Sequence, residues 1–422
     1  MAITPNQLAH DKMCTLWEQA AETTGMNMTL SKDLQTYTMS DMVNKDRAGD
    51  ANDINYDSGN SDREYIPQEY RFEVKDGIIT SDNDFQNVID RMVPVNRNKT
   101  FNVPASIKAK ELQDPSRMTK IAEGFARDIA NKMDVMCYRT MIDQSTLFID
   151  SGNKFSYEAA IDAETLLLNR GLSAYDRKLF LANKHYSVVA KDLGQQSREI
   201  YVGDAITRAQ IPNLATFSTL RSDYLLSNKG ITTANLTVTN NSKHEPTTYD
   251  GNGFYLDNRS MTLAVTNATT STMPVGCKFT ITGVNAVHPE TREDTGDLMT
   301  FTVVQSGSGS VVIQPALVAD GVFKNCTAQA AAAAKIVLLN KIDETPSLFY
   351  TPQSTVIIPG RIPVIGDGVR TATLTTENGI PMTMVYWYDP HNMRYNMKAV
   401  VSFDVQVIYP EMLGAIYRTA TA

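Results

Sequence analysis

The stretch from Asp114 to about Ile149 limits most sharply what this chain can become. Asp114 suits the position that accepts hydrogen bonds from the free amides of a first helical turn, and Pro115 suits the first helical position, where no amide is needed. Behind them Met118, Ile121, Ala122, Phe125, Ile129, Met133, Met136, Cys137 and Met141 recur every three or four residues, the spacing of one apolar helix face. The other face is polar: Arg117, Lys120, Glu123, Arg127, Asp128, Lys132 and Asp134. No further proline precedes Gly152, so a helix of ~30 residues would run for ~45 Å, longer than an ordinary globular domain needs. Such a rod reads as a scaffold on which separate layers hang.

At 422 residues the chain has room for two or three domains with real cores. Ahead of the rod, Pro5 to Ala21 reads as a short amphipathic helix closed by Gly25, with Leu8, Met13, Leu16, Trp17 and Ala20 on one face and no companion nearby. Ser40 to Asp62 is acidic and turn-rich, the composition of a loop; its carboxylates do not match the spacing of a compact calcium loop. Arg63 to Val74 and Met92 to Ile107 are rich in β-branched and aromatic residues around Asp76-Gly77, which predicts a long hairpin leading into the rod. An isolated hairpin is marginal in water, so this one is expected to rest on something else, such as another subunit.

Past the rod, a helix at Tyr157 to Asn169 ended by Gly171, a strand at Lys178 to Ala182 and a helix at Asn183 to Leu193 capped by Asn183 give an α/β layer. From Ser227 to about Gln329, helix formers give way to short alternating runs (ANLTVTN, GFYLDN, SMTLAVT, KFTITGVNAV, LMTFTVVQS, SVVIQPALV), which predict five or six strands of an antiparallel barrel or sandwich. Two polar segments interrupt it, 242–253 and 285–297, each long for a hairpin. Ala328 to Leu339 returns to helical composition. Strand-like runs follow at Leu348 to Ile358, Ala372 to Leu374, Pro381 to Tyr388 and Lys398 to Tyr409, so the β segment is an insertion in a larger domain.

Chemistry-bearing motifs are absent from the sequence. There is no GxGxxG, phosphate-binding lysine loop, HExxH or GxSxG elbow, and the five histidines are dispersed. A structural role is expected for His185. Tyr386-Trp387-Tyr388 with Tyr395 reads as a buried strand near a subunit contact. The net charge of -8, without any basic run, excludes a general nucleic-acid binder. Four scattered cysteines read as reduced, mostly buried thiols, and the start of the chain has neither the basic residues nor the apolar run of a secretory signal, so a cytoplasmic setting is expected.

In this order the elements resemble the major capsid (coat) proteins of short-tailed double-stranded DNA phages that carry an inserted β-barrel domain. The local matches are Asp257-Asn258-Arg259 leading into Met261-Thr262-Leu263-Ala264-Val265-Thr266, then Gly276-Cys277-Lys278-Phe279-Thr280-Ile281 and Gly283-Val284. Cys277 stands where the family pattern has an acidic residue, which a solvent-facing position would tolerate. The resemblance implies an α+β, Hong Kong 97-like tailed-phage capsid fold divided into an N-terminal arm (1–50), an E-loop hairpin region (51–110), a P-domain with the spine helix and the start of the A-domain (111–226), an inserted β-barrel (227–329), and the A-domain with a C-terminal P-domain strand (330–422). It implies self-assembly, as hexamers and pentamers, into a procapsid and then a mature icosahedral head around packaged double-stranded DNA without sequence-specific contacts, with an internal scaffolding protein and a portal protein as partners. It further implies assembly in the host bacterial cytoplasm, residence in the virion capsid, and no membrane, catalytic residue, cofactor or metal.

In that setting 242–253 is expected to reach a neighbouring capsomer, 285–297 to be flexible and the barrel to help the subunit fold. Lys243, Glu245, Asp250, Arg63, Glu69 and Arg71 are the expected intersubunit contacts, and part of the rod's polar face is expected inside the shell, near DNA or a neighbour. The alternative is a β-rich surface adhesin or carbohydrate-binding virion protein. A third reading, an α/β enzyme with an inserted lid, would rest on His185 or His391.

Overall fold

The computed structural model describes residues 5–37, 63–72, 74, 77, 88–96, 99–108, 115–152, 154–172, 175–195, 211, 213–221, 226–231, 235–250, 254–360, 370–376 and 378–418. Asp114 and the acidic tract at 46–62 lie outside them, as do the calcium and cap readings placed there. The chain forms two compact units, one of Met1–Asp41, Val95–Tyr138 and Val356–Gln406, the other of Met42–Pro94, Arg139–Thr355 and Val407–Ala422.

The helices are α1 (Pro5–Asn27), α2 (Leu30–Asp33), α3 (Pro115–Gln144), α4 (Tyr157–Asn169) and α5 (Asn183–Gln195). The expected rod is α3, 30 residues long, ending before a strand at Leu147–Asp150. Ala122, Phe125, Ile129, Met133, Cys137 and Met141 are buried along it, as their spacing requires.

In the first unit α1 has the companion that its sequence left open. It runs past Gly25 to Asn27, and Trp17 stacks on Phe125 of α3 with ring centroids 5.6 Å apart. Asp134, grouped by sequence with the polar face, is fully buried. Its Oδ2 accepts from Thr29 N (3.0 Å) and Thr29 Oγ1 (2.8 Å), and its Oδ1 from Ser31 N (2.8 Å) and Ser31 Oγ (2.6 Å). A carboxylate that receives four donors at the first turn of α2 ties the N-terminal segment to α3.

The sheet of this unit runs in the order 35–36, 355–360, 394–407, 381–389 and 370–375, with 100–108 added along 394–407. The expected hairpin is therefore split. Thr100–Lys108 pairs antiparallel with Ser402–Arg394, while Met92–Asn96 pairs with Arg63–Pro67 in a separate two-stranded sheet. That small sheet rests on its own chain: Tyr65, Ile66, Val93 and Val95 are buried, and Gln68 Nε2 donates to Ile408 O at 2.5 Å. In the 381–389 strand only Tyr386 of the aromatic triplet is buried, for Trp387 and Tyr388 are 39% and 44% exposed.

The second unit carries a five-stranded sheet in the order 147–150, 413–417, 347–350, 177–181, 217–221. α4 and α5 share its core, in which Ala159, Ala163, Leu167 and Val189 pack with Leu179, Phe217, Phe349 and Ile416. Gly171 ends α4 with φ +72, and Leu172 N donates back to Leu167 O at 3.1 Å.

The inserted segment is a closed barrel of six strands, in the order 278–287, 294–305, 310–314, 261–266, 236–238, 335–338. It has a core of its own, including Leu263, Phe279, Ile281, Phe301, Val303 and Ile313. Closure pairs every edge, so no strand is left open. Three expectations fail here. The segment 285–297, expected as a long interruption, is strand up to Val287 and again from Asp294, so the connection is only 288–293. The described part of GFYLDN, 254–258, forms no strand, and the alanine-rich segment expected to be helical ends in the sixth strand, Lys335–Leu338, beyond the expected boundary at 329. Ile336 and Leu338 face the core while Lys335 and Val337 face out, a period of two that outweighs alanine's helix preference.

Candidate interaction surface

The long loop between the first two barrel strands is fastened by the Asp257-Asn258-Arg259 turn. Asn258 Oδ1 lies 3.1 Å from His244 Nε2 and accepts from Thr247 N at 3.3 Å, while Asn258 Nδ2 donates to Thr247 O (3.0 Å) and Leu256 O (3.3 Å). Arg259 grips Asp257 with Nε (2.9 Å) and Nη2 (2.7 Å), and its Nη1 donates to Val407 O. These contacts explain the residue types: an amide satisfies both kinds of backbone group at the loop base, and a paired guanidinium can be buried there.

Of the residues expected to make contacts, Lys243 and Glu245 form an exposed ion pair with each other, Nζ to Oε1 2.8 Å. The pairing raises the lysine's pKa and lowers the glutamate's. Asp250 closes the tip, its N donating to Phe254 O (2.8 Å) and its Oδ1 accepting from Phe254 N (2.9 Å). Tyr249 and Tyr255 pack with centroids 5.1 Å apart, and burial first, then the Tyr249 hydroxyl, pushes the Tyr255 phenol up to about 12.

The same loop lies on the base of the small two-stranded sheet. Tyr65 and Tyr255 meet edge to face at 5.1 Å, and Asp90 N donates to Thr248 Oγ1 at 3.2 Å. Glu69 and Arg71 are exposed and line one cleft with Pro246 of the loop, so the hairpin and loop candidates flank a common feature. Arg63 is in the 63–67 strand, and its side chain lies outside the described residues.

The barrel is rooted through a residue that sequence reading did not single out as functional. Lys278 is fully buried, and its Nζ donates to Ile142 O (3.1 Å), Ser145 O (2.5 Å) and Ser145 Oγ (2.6 Å) at the C-terminal end of α3. Those carbonyls have no helical partner and carry the negative end of the helix dipole, which is where a cation is favoured. Burial pushes the ammonium down to about 7, with Asp143 opposing it. Asp143 is itself raised by burial against the pull of Lys278 and Arg139. Gly276 has φ +81, and a Cβ there would lie 2.8 Å from Asp143 Oδ1, so the glycine before Cys277-Lys278 is required twice over. Cys277 is fully buried in the barrel core, not solvent-facing, because Lys278 turns the other way toward α3. Burial pushes its thiol up to about 12.

His185 is structural in its surroundings. Its Nδ1 lies 2.7 Å from Ser347 Oγ, its Nε2 3.1 Å from Glu344 Oε1, and its ring stacks on Phe155 at 5.0 Å. Serine, imidazole and carboxylate stand in the order of a hydrolase triad, but their exposures of 0%, 3% and 6% leave a substrate no approach. Among the described residues no group of three or more His, Cys, Asp or Glu is placed to hold a metal, and no helix is long and apolar enough to cross a membrane.

Comparison with known proteins gives the geometry its context. The family model described as P22 coat protein, gene protein 5, matches residues 28–417. No curated protein sequence matches the chain. Among solved structures, the CUS-3 coat protein I-domain is 33% identical over 26% of this chain and 99% of its own, with a TM-score of 0.21. The mature capsid of bacteriophage PhiM1 is 9% identical, covering 86% of this chain and 84% of that one at a TM-score of 0.43. The capsid of the cyanophage P-SCSP1u is 8% identical, covering 93% and 89% at 0.43. With nearly its whole length matched by one family model, the chain belongs to the P22 coat protein family and is a major capsid protein, the structural subunit of a phage's icosahedral head.

Proposed function

We propose that the protein assembles as hexamers and pentamers into a procapsid and then a mature shell around double-stranded DNA, with an internal scaffolding protein and a portal protein as partners. Assembly takes place in the host bacterial cytoplasm, and the subunit performs no catalysis. The family match over 28–417 carries this reading. An acidic chain without a basic run suits a container that holds DNA by closure of its lattice, not by base contacts. The subunit divisions implied by the family pattern are part of this proposal, with the barrel extended to Leu338 and the strand at 100–108 moved from the hairpin to the sheet of 394–407. Co-expression with the scaffold should give shell-sized particles by light scattering and negative-stain microscopy. Small discrete species alone would overturn the reading.

Within that shell, Lys243, Glu245 and Asp250 are proposed to set contacts between copies, together with Arg63, Glu69 and Arg71 at the hairpin base. Exposed charges add little within a chain but can fix register between chains. Lys243→Ala and Glu245→Ala are expected to lower particle yield several-fold while leaving the subunit's melting temperature within about 1 °C. Equal loss of both would assign the pair to intrachain stability.

A further inference from the structure

We propose that the cleft lined by Arg71, Arg91, Arg170 and Lys324 is a binding site for an oxyanion, a carboxylate or phosphate group held by Arg91 and Arg170. The four cations face only Glu69 and Glu411 across this cleft, in a chain whose net charge is -8. Arg259 also lines it, yet Asp257 and the Val407 carbonyl already occupy its guanidinium.

Arg91 and Arg170 are not so occupied. Among the described residues neither guanidinium has a hydrogen-bond or ion-pair partner; Arg91 only lies over the Phe323 ring, 4.9 Å from its centroid. Both groups are half-buried, and burial lowers both pKa values, with Glu411 the leading opposing charge in each case. Glu411 thus acts on both guanidinium groups, with Asp257 adding to Arg91 and Asp297 to Arg170, and none of these carboxylates forms an ion pair with either. Each guanidinium offers five N–H donors in a planar fork and no acceptor, a shape that fits the paired oxygens of a carboxylate or phosphate. Leaving two such forks withdrawn from water and unpaired is unfavourable, and a bound anion removes that penalty. The backbone holds both in place. Arg91 O accepts from Gln68 N at 2.9 Å, and Arg170 N donates to Leu166 O and Leu167 O at the end of α4. The cleft brings the hairpin base, the α4 terminus and, with Lys324, the barrel to one rim.

The anion has two possible sources, a free oxyanion or an acidic side chain of a second copy, and the test separates them. Inorganic phosphate is titrated into the full-length unassembled subunit at constant ionic strength set with chloride. The expected result is a saturable rise in melting temperature of ~2–5 °C, lost in Arg91→Gln/Arg170→Gln. Glu411→Gln removes the competing carboxylate and should tighten the phosphate titration several-fold, a gain that failure to fold cannot imitate. In assembled particles, continued dependence on phosphate identifies a free anion, whereas loss of that dependence with a lower particle yield for Arg170→Gln identifies a neighbour's carboxylate. No saturable rise at matched ionic strength, or an equal rise in the double variant and no tightening in Glu411→Gln, overturns the proposal.

Discussion

Replacing Lys278 by methionine keeps most of the side chain's volume and removes the ammonium that joins the barrel to the end of α3. Four acceptors lose a donor: Ile142 O, Ser145 O, Ser145 Oγ and Thr302 Oγ1. Ile142 O keeps the Ser145 hydroxyl and Ser145 O keeps the Thr302 hydroxyl, so what is lost is hydrogen bonds from a charged donor, about 1.5–3 kcal/mol each, and the release of a buried charge offsets several kcal/mol of that. A net loss of roughly 2 kcal/mol near neutral pH follows, and its pH dependence is more telling than its size. The folded ammonium titrates at about 7 and the unfolded one at its ordinary 10.5, so between these values the unfolded chain binds a proton that the folded chain does not. The lysine's contribution to stability therefore rises with pH across that window, by about 1.4 kcal/mol per pH unit. The penalty of Lys278→Met should grow by roughly 3 kcal/mol from about pH 7 to about pH 9. Urea unfolding of the unassembled subunit, followed by far-ultraviolet circular dichroism for both proteins across that range, measures the difference and cancels the titrating groups that are not coupled to Lys278 as Asp143 and Cys277 are. A penalty below ~0.5 kcal/mol, or one that stays flat with pH, would refute the view that this ammonium is buried and spent on the helix end.

Asp134→Ala removes all four bonds that hold Thr29 and Ser31; it should destabilise the first unit by ~3 kcal/mol and speed amide hydrogen exchange at Thr29 and Ser31 by more than about a hundredfold, with Asp134→Asn intermediate. Gly414→Ala places a Cβ 2.0 Å from Phe349 Cζ and should lower stability by ~3 kcal/mol in chemical unfolding, with much of the loss recovered by adding Phe349→Leu.

Much of this architecture is written locally, and the rest depends on partners far away in the chain. α3 was legible because its apolar residues keep a three- and four-residue spacing that no strand could use. Most barrel strands were legible as short alternating runs. Lys335–Leu338 was not, since its alanine-rich approach favours a helix until pairing with 278–287 and 236–238 imposes a period of two. The strand at 100–108 was assigned to the wrong partner because its mate is nearly three hundred residues away, at 394–402. Asp134 looked like one more charge on a wet face, and only the return of Thr29 and Ser31 makes it a latch. Lys278 lay inside a family-like motif, but a lysine opening an apolar strand gives no sign that a helix end awaits it. Arg91 and Arg170 are separated in sequence by all of α3, so no spacing rule links them.

The barrel's first strand, 236–238, pairs with its last, 335–338, and below them Asn228 and Glu344 exchange backbone hydrogen bonds of 2.7 and 3.0 Å. To the rest of the subunit the whole insertion is therefore a hairpin: two antiparallel strands leave side by side, and what happens between them does not alter the distance the parent chain must close. A module attached in this way can change length between its two ends so long as the anchors outside the neck, Lys278 at the end of α3 and Arg259 at Val407 O, are kept. The parent chain has to accommodate the neck and those two anchors, and little else of the barrel's own fold.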